Sequence, residues 1–173
     1  MIKHLFILLL SVMICQLSLA QSQDCSCCSE EHQQFDFWLG SWDVFDPSGK
    51  KVGENIIVKL ENGCLIQEQW TGTSGVTGRS YNFYDPSDDS WNQIWVDNQG
   101  NNLQLKGKAQ PNKMILKSSP DRNGQGQTII NRITWTLNSD NTVNQIWEVL
   151  DKDQNVLQTA FNGIYKKQTN KPH

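Results

Sequence analysis

Trp91-Asn92-Gln93-Ile94-Trp95-Val96-Asp97, WNQIWVD, sets an amide two residues before a tryptophan, and the chain repeats the arrangement. Asn144-Gln145-Ile146-Trp147 carries the same NQIW tetrapeptide, and Gln67-Glu68-Gln69-Trp70 keeps the spacing with an acid in place of the amide. In an extended strand, residues two apart share a face, so Gln93 and Trp95 point one way and Ile94 the other. The same holds for Gln145 with Trp147 and for Glu68 with Trp70. Asp97 continues the first face. On the strand before Val143, either Arg132 with Thr134 or Asn131 with Trp135 offers a comparable row. A tryptophan row turned to water wastes apolar area at about 25 cal/mol per Å², while an amide buried without partners costs about 1 to 3 kcal/mol. A partly hydrated cavity inside a closed sheet meets both demands, because rings are sheltered there and amides reach water, one another or a ligand. The plainer reading makes Trp95 and Trp147 core residues with satisfied amide neighbours.

The strand count favours the cavity. Turn signals recur from Asp46-Pro47-Ser48-Gly49 through Glu61-Asn62-Gly63, Thr73-Ser74-Gly75, Asp85-Pro86-Ser87-Asp88, Asn98-Gln99-Gly100 and Pro111-Asn112 to the polar stretches 120–126, 138–141 and 151–155. Nine interruptions imply ten strands, the first near Trp42–Phe45 and the last near Val156–Tyr165. Every connection is short and none holds a helix long enough for a crossover, so neighbouring strands pair as antiparallel hairpins. A meander of that length is most stable when it closes and loses its edges, and ten strands enclose more room than side chains alone fill. The expected fold is all-β: a single antiparallel up-and-down β-barrel of about ten strands over residues 40–167, with a short N-terminal helix. Ser29 is the expected N-cap of that helix, Glu30 and Glu31 occupy its first turn, and Phe35, Trp38 and Leu39 share an apolar face. Residues 21–39 form the cysteine-rich N-terminal segment and residues 168–173 a disordered tail.

The N-terminus leads to an expectation of export. Lys3, the apolar run Leu5–Ile14 and the small residues Ser18 and Ala20 have the pattern of a secretory signal peptide over residues 1–20. The run is too short to span a membrane, and Ile14 before Cys15 disfavours lipoprotein processing. Removing Lys3 leaves 14 basic and 18 acidic residues, a net charge of −4 with no basic stripe for nucleic acid. Four cysteines remain: Cys25, Cys27, Cys28 and Cys64. In an exported protein they read as disulfides, and Cys27–Cys64 with Cys25–Cys28 avoids both a vicinal bridge and a tight Cys-x-Cys bridge. The alternative is a soft-metal site of Cys25, Cys27, Cys28 and His32.

Phe35 to Asp43, FDFWLGSWD, carries a resemblance, extended by Gly63-Cys64 through Glu68 and Trp70, Ser80 to Pro86, Trp91 to Asp97, Arg132 to Trp135 and Gln145 to Glu148. In these spaced segments the chain resembles a family of exported bacterial proteins of the lipocalin-like (calycin) superfamily, a domain of unknown function. The resemblance implies that Trp42 packs across the closed end of the barrel beneath the N-terminal helix. It also implies a partner for Cys64 among the three N-terminal cysteines, and it assigns no ligand and no reaction.

Chemistry therefore has to be read from the residues. A nucleophilic triad or a haem site needs a histidine on or near the barrel, but after residue 20 only His32 and His173 remain. Asp85 to Asp89 and Asp151 to Asn155 suggest calcium loops, yet the first is a Pro-Ser turn and the second lacks the central Gly and distant Glu of such a loop. No cofactor and no metal is expected. The preferred reading is a non-catalytic carrier or sensor, periplasmic or extracellular, that binds a small hydrophobic or amphipathic molecule. Trp70, Trp95 and Trp147 would stack on the apolar part, with Glu68, Asn82, Gln93, Asp97, Arg132 and Gln145 supplying polar contacts. Two alternatives stand beside it: an enzyme using Glu68 and Asp97 as an acid and base pair, and a protein-interaction module at the cell envelope.

Overall fold

The computed structural model describes residues 25–168. The expected signal peptide and the last five residues lie outside them. Eleven strands follow one another: β1 (Gly40–Phe45), β2 (Lys51–Leu60), β3 (Leu65–Gly72), β4 (Thr77–Asp85), β5 (Ser90–Asp97), β6 (Asn102–Gln110), β7 (Lys113–Lys117), β8 (Asp121–Arg122), β9 (Thr128–Leu137), β10 (Val143–Leu150) and β11 (Val156–Lys167). β8 is only a two-residue ladder on the start of β9. The other ten close an antiparallel barrel, running β1 to β7, then β9, β10 and β11, with β11 returning to β1. Closure rests on the register of Trp42, Asp43, Val44 and Phe45 with Lys167, Lys166, Tyr165 and Ile164. Gln168, expected in a loose tail, extends that seam: its N–H donates to Ser41 O at 3.0 Å and its side chain to Asp43 Oδ1 at 3.0 Å.

One turn chemistry makes the meander. In six hairpins the first residue donates its N–H to the carbonyl four residues on, and the fourth residue donates back to the first. The fourth residue, Gly49, Gly75, Gly100, Gly126, Asn141 or Gln154, has φ between 61° and 88°. This is a type I turn closed by a left-handed residue, the common three-residue hairpin loop. In four of the six, an Asp or Asn at the first position also accepts the N–H groups two and four residues ahead: Asp46, Asp97, Asn123 and Asp151. The stretch Asp151–Asn155 that suggests a calcium loop is one of these turns.

The segment ahead of β1 plugs one end of the barrel. Where the sequence suggests one helix, the chain makes a single α turn, α1 (Glu30–Gln33), and then a 3-10 turn over Asp36–Trp38. The Ser29 hydroxyl bonds the His32 ring at 2.9 Å instead of capping the helix. In 3-10 geometry residues three apart eclipse, and Phe35 stacks on Trp38 with ring centres 4.9 Å apart. Both are fully buried, as are Trp42 beneath them and Trp135 across the floor. Trp42 Nε1 donates to Trp38 O at 2.8 Å, and the Lys167 ammonium lies 4.0 Å from the centre of the Trp42 ring. Trp42 thus joins the plug to the closing seam.

The cysteines stand at disulfide distance in the pairing expected on geometry, Cys27–Cys64 and Cys25–Cys28. Cys64 lies at the turn between β2 and β3, so the first bridge ties the plug to the barrel rim across a separation of 37 residues. Closing a loop of that length removes about 4 kcal/mol of unfolded-state entropy on the chain-entropy estimate. The double variant Cys27→Ser/Cys64→Ser is therefore expected to lose about 2 to 4 kcal/mol in urea unfolding, whereas Cys25→Ser/Cys28→Ser, which opens only a four-residue loop, loses less. Equal losses would contradict the clamp role.

Candidate functional site

Adjacent strands of a closed meander alternate in direction, so β3, β5 and β10 all run away from the plug. Each carries the same polar-x-Trp motif, and each therefore places its polar side chain deep and its tryptophan nearer the far end. This is the structural meaning of the repeat. Glu68, Gln93 and Gln145 are buried, while Trp70, Trp95 and Trp147 above them are partly exposed. Together they line a cavity of about 210 Å³ at the end opposite the plug. Leu103, Ile133, Phe161 and Tyr165 complete its apolar wall, and Asp97 stands near its rim.

Glycines keep this space open. A Cβ at Gly78 would come within 2.1 Å of the Trp95 ring, and one at Gly53 within 2.4 Å of the Trp70 ring. With hydrogen at those positions the indoles lie against the wall; any side chain there would force them into the lumen. On β11 a bulge opposite Trp147 and Glu148 skips Ala160, which lets Ala160 and Phe161 line the cavity together. Phe161 meets Trp70 edge-on at 5.9 Å.

Beneath the rings runs one hydrogen-bonded chain from β5 to β10 through the buried side of the barrel. Gln93 Nε2 donates to Asn82 Oδ1 at 2.7 Å, Asn82 Nδ2 to Ser80 Oγ at 2.9 Å, and Ser80 Oγ to Glu68 Oε2 at 2.7 Å. From the other side, Asn55 Nδ2 donates to Glu68 Oε1 at 2.7 Å and to the Tyr165 hydroxyl at 3.3 Å, and Tyr165 donates to Gln145 Oε1. Both N–H bonds of Asn55 are thereby used, and its Oδ1 is buried without a partner among the described residues. The Gln93 branch donates stepwise toward the carboxylate, whereas the other runs outward from Asn55, which donates both to Glu68 and to Tyr165; Glu68 thus orients Asn55 and, through Ser80, Asn82 and Gln93. What remains for the cavity, among the described residues, is the Gln93 carbonyl as acceptor and the Gln145 amide N–H groups as donors.

Glu68 holds this position at an electrostatic cost. Burial pushes its carboxyl up to about 7, against the pull of hydrogen bonds from Ser80 and Asn55 and of the Arg79 charge. Burial, and then the Glu68 charge, likewise raise the Tyr165 hydroxyl well above its ordinary value. Asp97 behaves oppositely. Both its oxygens serve its own hairpin, accepting from Asn101 Nδ2 and from the Gln99 and Asn101 N–H groups at 2.9 Å, and the Asn101 bond leads in lowering its carboxyl.

No protein-family model and no curated protein matches the chain. The geometry therefore stands by itself. Of the side chains proposed from sequence to line the site, Asn82 lies one step below the cavity, as the support of Gln93. Arg132 is elsewhere. Ile133 and Trp135 turn inward, so alternation sends Arg132 to the outer face, where its Nη2 pairs with Glu148 Oε2 at 2.7 Å. The other row weighed for that strand is the inward one, and Asn131 accepts from Trp147 Nε1 at 2.8 Å. Sequence reasoning missed Asn55, Ser80, Phe161 and Tyr165. The alternation Phe161-Gly163-Tyr165 was a usable signal, as was a lone amide, Asn55, on the same face as Gly53 and Ile57. Among the described residues no cluster of three or more His, Cys, Asp or Glu side chains could hold a metal ion. The three cysteines of the soft-metal alternative are all paired in bridges.

Two outcomes follow for experiment. Folded Glu68 binds its proton more tightly than the unfolded chain does, so its protonation stabilises the fold fully below pH 4.5 and this contribution fades as pH rises to about 7. On that basis the difference in unfolding free energy between the native chain and Glu68→Gln should shift by on the order of 3 kcal/mol between about pH 4.5 and 7.5, the native chain losing ground as pH rises. A flat difference across that range would refute the buried position. Separately, Gly78→Ala should push the Trp95 indole into the lumen, read as a changed tryptophan emission maximum and near-UV circular dichroism at unchanged strand content.

Proposed function

We propose that this chain is an exported lipocalin-like carrier or sensor that binds a small amphipathic molecule in the barrel cavity. One observation carries the reading: three tryptophans stand over a buried polar chain whose two ends, Gln93 and Gln145, leave hydrogen-bonding groups facing an accessible hollow. Indoles sheltered on one side and amides left for a guest are the composition of a small-molecule site. Its volume, about 210 Å³, lies below the roughly 300 to 1,000 Å³ of pockets for drug-sized ligands, which favours a compact guest over a lipid or haem. The motif FDFWLGSWD and its spaced companions support membership of the lipocalin-like family. Paired cysteines support export, because such bridges persist in oxidising compartments. No helix among the described residues is long and apolar enough to cross a membrane.

A second reading, an enzyme of small substrates, has one observation in its favour: a buried carboxyl titrating near 7 is the group that general acid or base catalysis needs. Asp97, whose oxygens are both taken by its hairpin, is a poor partner for it. Native mass spectrometry of protein from its own host separates the two. A carrier should retain an intact small molecule, and Trp95→Ala should lower its occupancy about tenfold or more without unfolding the chain. Recovery of a chemically altered guest, with turnover abolished in Glu68→Gln, would favour the enzyme.

A further inference from the structure

The cavity wall has charge of only one sign. Glu68 and Asp97 line it, and among the described residues no Lys, Arg or His does. Arg79, next to Ser80 on β4, is exposed and bonds the Gly78 carbonyl, and Arg132 pairs with Glu148 on the outer face. Glu68 is all but 5% buried and makes hydrogen bonds but no ion pair among the described residues. A buried carboxylate without an ion pair is costly, and a cation brought beside it relieves that cost. Above the carboxylate the wall is aromatic, and aromatic faces attract cations while giving nothing to anions.

We propose that the cavity selects a small organic cation, an amine or quaternary ammonium, held between the rings of Trp70, Trp95 and Trp147 with Glu68 as its counter-charge. This rests on the binding reading above and adds the sign of the guest's charge. A polar arm on that cation has its partners in place, an acceptor at Gln93 and a donor at Gln145. Because a cation stabilises ionised Glu68, binding displaces the proton that Glu68 holds near neutral pH. The groups facing Glu68 are Asn55 from β2, Ser80 from β4 and Tyr165 from β11. Of these only Tyr165 titrates, far above neutrality, and among the described residues Arg79 supplies the one further charge acting on Glu68.

Three probes of matched shape test this: choline, its neutral carbon isostere 3,3-dimethyl-1-butanol, and the anion 3,3-dimethylbutanoate. Each is titrated into the full exported chain by calorimetry and tryptophan fluorescence. The expected result is choline bound about tenfold or more tighter than the alcohol, with no measurable uptake of the anion. Near pH 7, calorimetry in buffers of different ionisation heat should register proton release on choline binding. Glu68→Gln should abolish the proton release and lower the choline-to-alcohol affinity ratio about fivefold or more, to what the indoles alone confer. Alcohol bound as tightly as choline, or a choline preference undiminished in Glu68→Gln, would overturn the charge assignment and leave the carrier reading standing. Failure of all three probes at millimolar concentration in a folded protein would overturn both.

Discussion

The pairing of β1 with β11 gives this protein an inside. An open meander of ten strands could turn either face to water, and its tryptophans could be sheltered only by another layer. Once the last strand returns to the first, alternate residues on every strand have only the lumen to occupy. The seam that achieves this is short, four ladder positions from Trp42 to Phe45, and it is reinforced from both sides. Trp42 holds the Trp38 carbonyl of the plug, Lys167 sits over the Trp42 ring, and Gln168 bonds back to β1. The same residues that close the sheet also close its end.

Closure makes depth meaningful. Strands that run the same way repeat a motif at the same height, which is why a polar-x-Trp unit copied onto β3, β5 and β10 yields a layer of amides and one carboxylate under a layer of indoles. Glu68 organises the lower layer. It accepts from Ser80 and from Asn55; donation runs in to it from Gln93 through Asn82 and Ser80, and out from Asn55 through Tyr165 to Gln145. A buried carboxyl that orients a network is a liability for stability, with burial raising its affinity for a proton. Its place on the floor of an accessible cavity is what connects it to a guest.

Much of this was legible in the chain because period-two alternation and turn chemistry are local. Turn stretches such as Asp46-Pro47-Ser48-Gly49 and Asn138 to Asn141 mark hairpins without reference to the rest of the fold, and the ten barrel strands follow from counting the nine interruptions. Gln93 and Trp95, Gln145 and Trp147, and Glu68 and Trp70 are each bound to share a face, whatever the strand's partners. The misreadings sit where locality ends. Arg132 or Asn131 was a choice of phase on one strand, which only the burial of Ile133 and Trp135 decides. Ala160 joins the cavity beside Phe161 through a bulge that depends on its partner β10. The single helix expected after Ser29 splits into two turns because burying Phe35 and Trp38 in a stacked pair outweighs helical continuity. Asn55 reaches Glu68 only through the pairing of β2 with β3.

The most direct measurement is the titration of the Glu68 carboxyl itself, followed by carbon NMR on protein labelled at glutamate side-chain carboxyls and assigned with Glu68→Gln. The account predicts one resonance, missing in that variant, that titrates near 7 in the free protein and moves to lower pH when choline is added. A Glu68 resonance titrating at the ordinary carboxylate position, about 4.3, and indifferent to choline, would mean the carboxyl is neither buried nor part of a cation site, and the account would be contradicted at its centre.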